Sequence, residues 1–532
     1  MATAATPKIN EADALVMTPP ELGDWLIASP LILGFIFGAL CLMARKNPHY
    51  QSAIALVGLG LMLAANVGLF WRVLEQGAVV MTMGRWLPPF GITFAADMLG
   101  ATFALISGII GFAVGIYARN DIDKTRSRYG FYPFLLLMMA GITSAFLTGD
   151  VFNLYVWFEV LLISSFGLLI LGSERDQLDG ATKYAFLNLI ATTLFLIGVA
   201  YMYGLYGTLN MADVARKSAA MTDTGPQFTL AVLFLFAFAM KAAAFPLNFW
   251  LPASYHTPRI VVSAVFAGLL TKVGVYALLR IFMTLFPAQG EALGLTIALL
   301  AALTMLVGAV GALAQNDTRR LLGYLVISGI GMMLAGLALG SRAGLSGAVF
   351  YAAHSMVTMT ALYMLVGIMG RHAGTFRLDQ SGGLYSRMPA LAALAFVLVF
   401  AGAGLPPFSG LWPKVLLVKA SLDVGVWWLA GSILLAALLS TIALVRMFAF
   451  CFWREAPTPE EPYLDAPGPG TAVYWATGGL AALTLIAGLY PEPFIQASDQ
   501  VADQLRVPAT YIEAVFGDGA PGMGQVQKEA GQ

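Results

Sequence analysis

The chain has 532 residues; 59% are hydrophobic, 11% are charged, and acidic and basic side chains are equal in number. This composition excludes an ordinary soluble domain. A net charge of zero gives no hint of a nucleic-acid partner, so what matters is where the charges lie. Apolar runs of ~20 residues recur along almost the whole length, enough to cross a hydrocarbon core as helices. The runs are continuous instead of alternating, which argues against a β-barrel.

Residues 1–25 form a polar N-terminal segment with Glu11, Asp13, Glu21 and Asp24 and a single base, Lys8. That is not the basic leader of a cleaved signal peptide. Fourteen helices are then predicted, labelled α1 to α14: 26–43, 53–74, 95–117, 132–148, 151–171, 183–206, 229–250, 259–286, 291–313, 321–339, 345–369, 390–420, 425–453 and 472–490. Short turns marked by Gly, Pro, Asn and Asp join them, as at Gly149-Asp150 and Pro287. The expected organisation is α1–α3 within 26–131, a first five-helix repeat over 132–286 and a second over 291–453. A loop and α14 follow at 454–490. Residues 491–532 are expected as a polar tail ending in a Gly-rich disordered stretch. Cys41 and Cys451 fall in apolar runs and read as packing residues.

Loops after the odd-numbered helices hold fifteen of the 29 Lys and Arg residues, and the opposite face with both termini holds eight. By the positive-inside rule both termini lie outside. Lys419, Arg280 and Arg446 sit nearer span ends, where snorkelling is expected.

Two spans are interrupted by proline: Lys241 to Pro246 in α7, and Gly404-Leu405-Pro406-Pro407-Phe408-Ser409-Gly410 in α12. Proline removes a backbone donor and clashes with the preceding turn, so each helix should break inside the membrane. The breaks lie five spans apart. An odd offset reverses direction, so α4–α8 and α9–α13 are candidate inverted repeats, the usual pointer to a transporter site.

Five ionisable residues lie well inside these spans: Glu159, Lys241, Lys272, His354 and Lys414. A charge at that depth costs about 2.5–3.5 kcal/mol on insertion scales, so it is kept where it pairs or meets water. Glu159 lies roughly 12 Å below the start of α5, with Lys241 of α7 at similar depth as its cationic partner. A static ion pair that only fixes packing is the plainer alternative. Lys272 in α8 is a candidate relay amine, because lysine, unlike arginine, exchanges its proton readily when buried. Capping of carbonyls freed by a broken neighbour is its plainer role. His354 in α11 reads equally as a relay or a hydrogen-bonded core residue. Lys414 follows the α12 break. Asp150 and Asp97 begin α5 and α3, where an acid suits a helix N-terminus, and Asp150 is also a candidate ion port toward Glu159. His256 and Arg259, before α8, read as surface residues. No Walker loop or Cys cluster is present, and the four histidines are not at ligand spacing, so no cofactor or metal is expected.

The segments Gly149 to Tyr155 with Glu159, Gly207 to Asp213, Lys241 to Pro252, Thr271 to Tyr276 and Gly404 to Lys414 resemble the antiporter-like subunits. These are shared by respiratory complex I, membrane-bound hydrogenases and multisubunit cation/proton antiporters. The resemblance covers about residues 55–490 and is greatest to the D subunits of Mrp (Pha) antiporters. It implies that Glu159 and Lys241 match the α5–α7 pair, Lys272 the central lysine and Lys414 the terminal lysine. Met359 stands where many relatives carry a lysine, and Arg259 where they often carry proline. The resemblance also implies an all-α polytopic membrane protein of a bacterial inner membrane, working with small hydrophobic chains and a second large antiporter-like subunit. Its substrates would be protons and sodium or potassium ions. The rival readings are a proton-pumping subunit of a redox complex, such as a quinone reductase or hydrogenase, and a scaffold whose buried ions only hold helices together.

Overall fold

The computed structural model describes residues 20–455 and 470–517, together with residue 15. Most of the N-terminal segment, part of the loop before α14 and the Gly-rich end lie outside the described residues. The fold is all-α and polytopic. Eleven helices are long and apolar enough to cross a membrane, and three shorter apolar ones accompany them among the described residues. Each of the fourteen expected segments overlaps one of these helices.

In chain order they are α1 Ser29–Met43, α2 Pro48–Gln76, α3 Met98–Asp121, α4 Phe131–Leu147 and α5 Val151–Ile170. Next come α6 Arg175–Tyr206, the two halves of α7 at Thr224–Ala242 and Trp250–Ser254, and α8 Ile260–Leu285. Then follow α9 Gly294–Ala314, α10 Thr318–Leu339, α11 Arg342–Ala373 and the halves of α12 at Pro389–Ala403 and Leu411–Asp423. The last two are α13 Trp427–Trp453 and α14 Thr471–Leu489.

Local chemistry sets the ends. Asp97, Asp150 and Ser341 cap α3, α5 and α11 by accepting from backbone N–H groups, at 2.9, 2.8 and 3.2 Å. Glu174 and Gln177 form a capping box on α6. Both proline-bearing spans break as expected. The first half of α7 ends at Ala242, with Ala244 N–H reaching back to Ala239 O, and the first half of α12 ends at Ala403, with Leu405 N–H reaching back to Phe400 O. In both, a residue with positive φ, Ala243 or Gly404, turns the chain out of the helix.

Two features depart from the sequence reading. α3 begins at Met98, not 95, because Val79–Thr82 (β1) and Thr93–Ala96 (β2) pair antiparallel, with Val79 opposite Ala96. The tail beyond 491, read only as polar with no helix assigned, carries two amphipathic helices, Glu492–Arg506 and Pro508–Phe516, folded back on the bundle. Arg342 of α11 meets Asp499 at 3.3 Å and Asp503 at 2.7 Å.

Burial separates the helices by role. The apolar core of α8 is wholly buried and α10 and α11 nearly so, whereas α2, α6, α13 and α14 leave wide apolar faces exposed. A helix apolar all round belongs at the centre of a membrane bundle. Small residues bring α8 close to its neighbours. A Cβ on Gly274 would lie 2.8 Å from the backbone nitrogen of Ala242, and one on Gly268 would lie 2.1 Å from Thr360 Oγ1.

Candidate functional site

Lys241 is the penultimate residue of the first half of α7 and is 5% exposed. Its Nζ donates to Thr192 Oγ1 at 2.8 Å and lies 5.5 Å from the centre of the Phe158 ring. Thr192 donates in turn to Asn188 O at 2.7 Å, and Asn188 donates to Tyr184 O at 2.9 Å. These three polar residues recur every fourth position, one stripe of α6. Glu159 is half-buried on α5 and is the charge that acts on Lys241. Among the described residues it makes no ion pair within 4.0 Å. The direct Glu159–Lys241 pair expected from sequence is therefore not made here. Thr192 holds the amine, and Glu159 acts on it from farther away.

Lys272 is completely buried at the centre of α8. The preceding turn, Phe266–Leu270, is widened to i→i+5 geometry, which leaves carbonyls without a regular helical partner. Lys272 Nζ donates to one of them, Ala267 O, at 2.6 Å. The lysine thus caps a carbonyl of its own helix and not of a neighbour. Buried hydroxyls of Ser263 and Thr271 on α8, Thr143 on α4, and Ser346 and Ser355 on α11 have no hydrogen-bond partner among the described residues.

His354 faces the α12 break. Its Nδ1 lies 2.8 Å from Ser409 Oγ in the broken segment and 3.2 Å from Thr358 Oγ1. The ammonium groups of Lys414 and Lys272 are the charges that act on its ring. Lys414 begins beyond the break and reaches back across it, donating from Nζ to Ala403 O at 2.6 Å. Thr441 of α13 donates to the same carbonyl at 3.3 Å. Met359 is buried and supplies no polar group.

Asp150 is 9% exposed and has no cationic partner within 4.0 Å among the described residues. Burial pushes its carboxyl up to about 6. The backbone around it is tied to the Gly207–Asp213 stretch, through Val151 N–H to Leu209 O and Met211 N–H to Gly149 O, both 2.8 Å. His256, in the turn before α8, touches Arg320 at 3.0 Å. Burial and the charges of Arg320 and Arg319 pull its imidazole down to about 4, which favours the neutral ring.

One cluster escaped the sequence reading. Arg280 does not snorkel: it is 1% exposed and grips Asp97 with two hydrogen bonds of 2.7 and 2.8 Å. Its guanidinium also contacts the Tyr276 hydroxyl at 3.2 Å and lies 5.0 Å from the Tyr511 ring centre. This arrangement ties α3, α8 and the last C-terminal helix together. Removing either charge would leave the other buried alone, at a cost of about 3–5 kcal/mol. The available signal was the spacing Lys272, Tyr276, Arg280, which puts all three on one face of α8. Arg446 likewise turns inward, donating to Leu313 O and Gln315 O at the end of α9 at 2.7 and 2.5 Å. Lys419 is exposed, as expected.

Comparison with known proteins gives the family of the chain. Residues 148–452, which include all six candidate positions, match the family described as NADH:quinone oxidoreductase/Mrp antiporter, TM. The D subunit of the Na(+)/H(+) antiporter of Alkalihalophilus pseudofirmus is 39% identical over 494 residues, covering 92% of this chain and 99% of that protein. A chain in the structure of the Mrp complex from Dietzia sp. superposes with a TM-score of 0.87 at 29% identity, covering 94% of this chain and 100% of that one. A chain of respiratory complex I from Thermus thermophilus gives 0.77 at 26% identity, covering 93% and 100%. On a family match over more than half its length and a likeness running nearly end to end, this chain belongs to the NADH:quinone oxidoreductase/Mrp antiporter family, as a multi-pass D-type member of a multisubunit cation/proton antiporter.

Proposed function

We propose that this subunit carries the proton path of a sodium or potassium/proton antiporter, running along the membrane midplane from Glu159 through Lys241, Lys272 and His354 to Lys414. One observation carries the reading: each amine or imidazole sits at an interruption in a helix. Lys241 ends the first half of α7, Lys272 follows the widened turn of α8, His354 touches the α12 break and Lys414 spans it. Irregular backbone at membrane depth is tolerated where it lines a polar path, and paired broken helices mark transporter sites. The buried hydroxyls along α8 and α11 supply donors and acceptors between the titratable groups. With Met359 in place of a lysine, His354 carries the step between Lys272 and Lys414. Asp150 serves as the ion port toward Glu159. The α4–α8 and α9–α13 segments act as two inverted repeats, each with one broken helix.

The relative named as part of a Na(+)/H(+) antiporter supports sodium as the exchanged cation. The partners on this reading are small hydrophobic subunits and a second large antiporter-like subunit. The redox-complex alternative fits less well, since the antiporter D subunit is 39% identical whereas the chains of two respiratory complexes are each 26% identical. The assembled complex in everted vesicles tests the reading. Added sodium or potassium should dissipate an imposed pH gradient, and proton movement that answers only to a redox substrate would overturn it.

Orientation is a separate proposal: a bacterial inner-membrane location with both termini outside and the Arg119–Arg128 loop in the cytoplasm. Single cysteines at positions 5 and 122, introduced after removal of Cys41 and Cys451, report it through an impermeant thiol reagent on intact cells. Labelling at 5 and not at 122 is expected. The reverse pattern refutes the orientation.

A further inference from the structure

A cavity of about 450 Å³ lies between α2, α3, α11, α14 and the amphipathic helix Glu492–Arg506. No Asp, Glu, Lys or Arg lines it. Its walls are mostly apolar; besides Thr102, Thr484 and Ser498, the polar side chains are Gln496 and Gln500 on the amphipathic helix, and His354 with Ser409 in the interior. Along α3 the lining runs from Met98 to Ile109, about 16 Å at ~1.5 Å per residue. That is one half of a hydrocarbon core of ~30 Å. Leu74 and Phe494 at the mouth are exposed, and Ile106, Ile109, Ala353 and Val357 are half-buried, so the slot opens sideways from the bundle.

We infer that this slot holds one acyl chain of a phospholipid from the leaflet on the side of the C-terminal helices. The volume falls in the range of ligand sites, which are mostly apolar with a few placed polar groups. Water is a poor occupant, because apolar cavities stay dry. Protein interiors otherwise pack without voids of this size. At this depth the surrounding apolar liquid is the acyl chain itself. The slot has its length, its lack of charge and, at the glutamine end, amide donors for the ester region of the lipid. A chain seated there also keeps water from that side of His354. This consequence rests on the relay reading, whereas the occupancy does not.

The test uses the intact complex reconstituted in vesicles of phosphatidylethanolamine and phosphatidylglycerol, doped with a phospholipid carrying a diazirine at its acyl terminus. After photolysis, peptide mass spectrometry should find label on α3 and α11 near Ile109 and Val357. In Ala353→Trp or Thr102→Trp, each placing an indole in the slot, that label should fall about tenfold while label on the exposed face of α6 persists. Co-purification of the partner subunits shows that each variant has assembled. Label that never reaches α3 and α11, or that stays unchanged in both assembled variants, overturns the inference. A photoreactive amino acid at position 353 that links to a partner subunit and not to lipid overturns it as well, because a protein segment then fills the slot.

Discussion

Replacing Lys272 by arginine is expected to abolish cation-driven proton exchange almost as fully as replacing it by alanine. A capping amine needs only a positive charge and a donor for Ala267 O, both of which arginine brings. A relay must also release its proton, and arginine does not do so at physiological pH. Loss of a proton-transfer group costs about 10²-fold or more in rate, so both variants should fall to the floor of a vesicle assay. Lys419→Arg, on the exposed face of α12, should keep parental exchange. Steric damage is the competing explanation, because α8 is tightly enclosed and Gly268 already abuts Thr360. Assembly with the partner subunits must therefore be measured for each variant. Parental exchange by an assembled Lys272→Arg complex between pH 7 and 9 would falsify the relay assignment.

The second large effect is expected at the α5–α7 site. Glu159→Ala and Lys241→Ala should each abolish exchange while the complex still assembles. The structure adds a third variant. Lys241 Nζ is held by Thr192, not by Glu159, so Thr192→Val removes the resting partner while leaving both charges. A lost hydrogen bond to a charged group is worth about 1.5–3 kcal/mol, and Thr192→Val should slow exchange without abolishing it. Near-normal exchange in both charge variants at equal expression would remove the site from the path. A purely structural ion pair predicts instead that loss of assembly accompanies every loss of transport.

The fold class was legible because a bilayer writes it directly into composition. Every backbone polar group must be satisfied within the segment, so ~20-residue apolar runs can only be helices. Each of the fourteen predicted runs overlaps an apolar helix, and the Pro-bearing stretches after Lys241 and Gly404 break as proline chemistry requires. Burial cost alone singled out Glu159, Lys241, Lys272, His354 and Lys414. Less legible were the elements outside the bilayer, where polar sequence is compatible with several structures. The β1–β2 hairpin and the helices from 492 to 516 appear only when their faces meet the bundle.

By itself, then, the sequence determined that this is a polytopic helical membrane protein and where two of its helices break. Which groups meet was decided by tertiary structure. Lys241 finds Thr192 of α6 because the α7 break brings its amine to a polar stripe about two helical turns long. Lys272 turns back on its own helix because a widened turn frees Ala267 O. Arg280, near enough to a span end to snorkel, is drawn inward because Asp97, 183 residues earlier, caps α3 beside it. Depth is a local property, readable from the run of residues on either side. A partner is a long-range one, fixed only when helices far apart in the chain pack together.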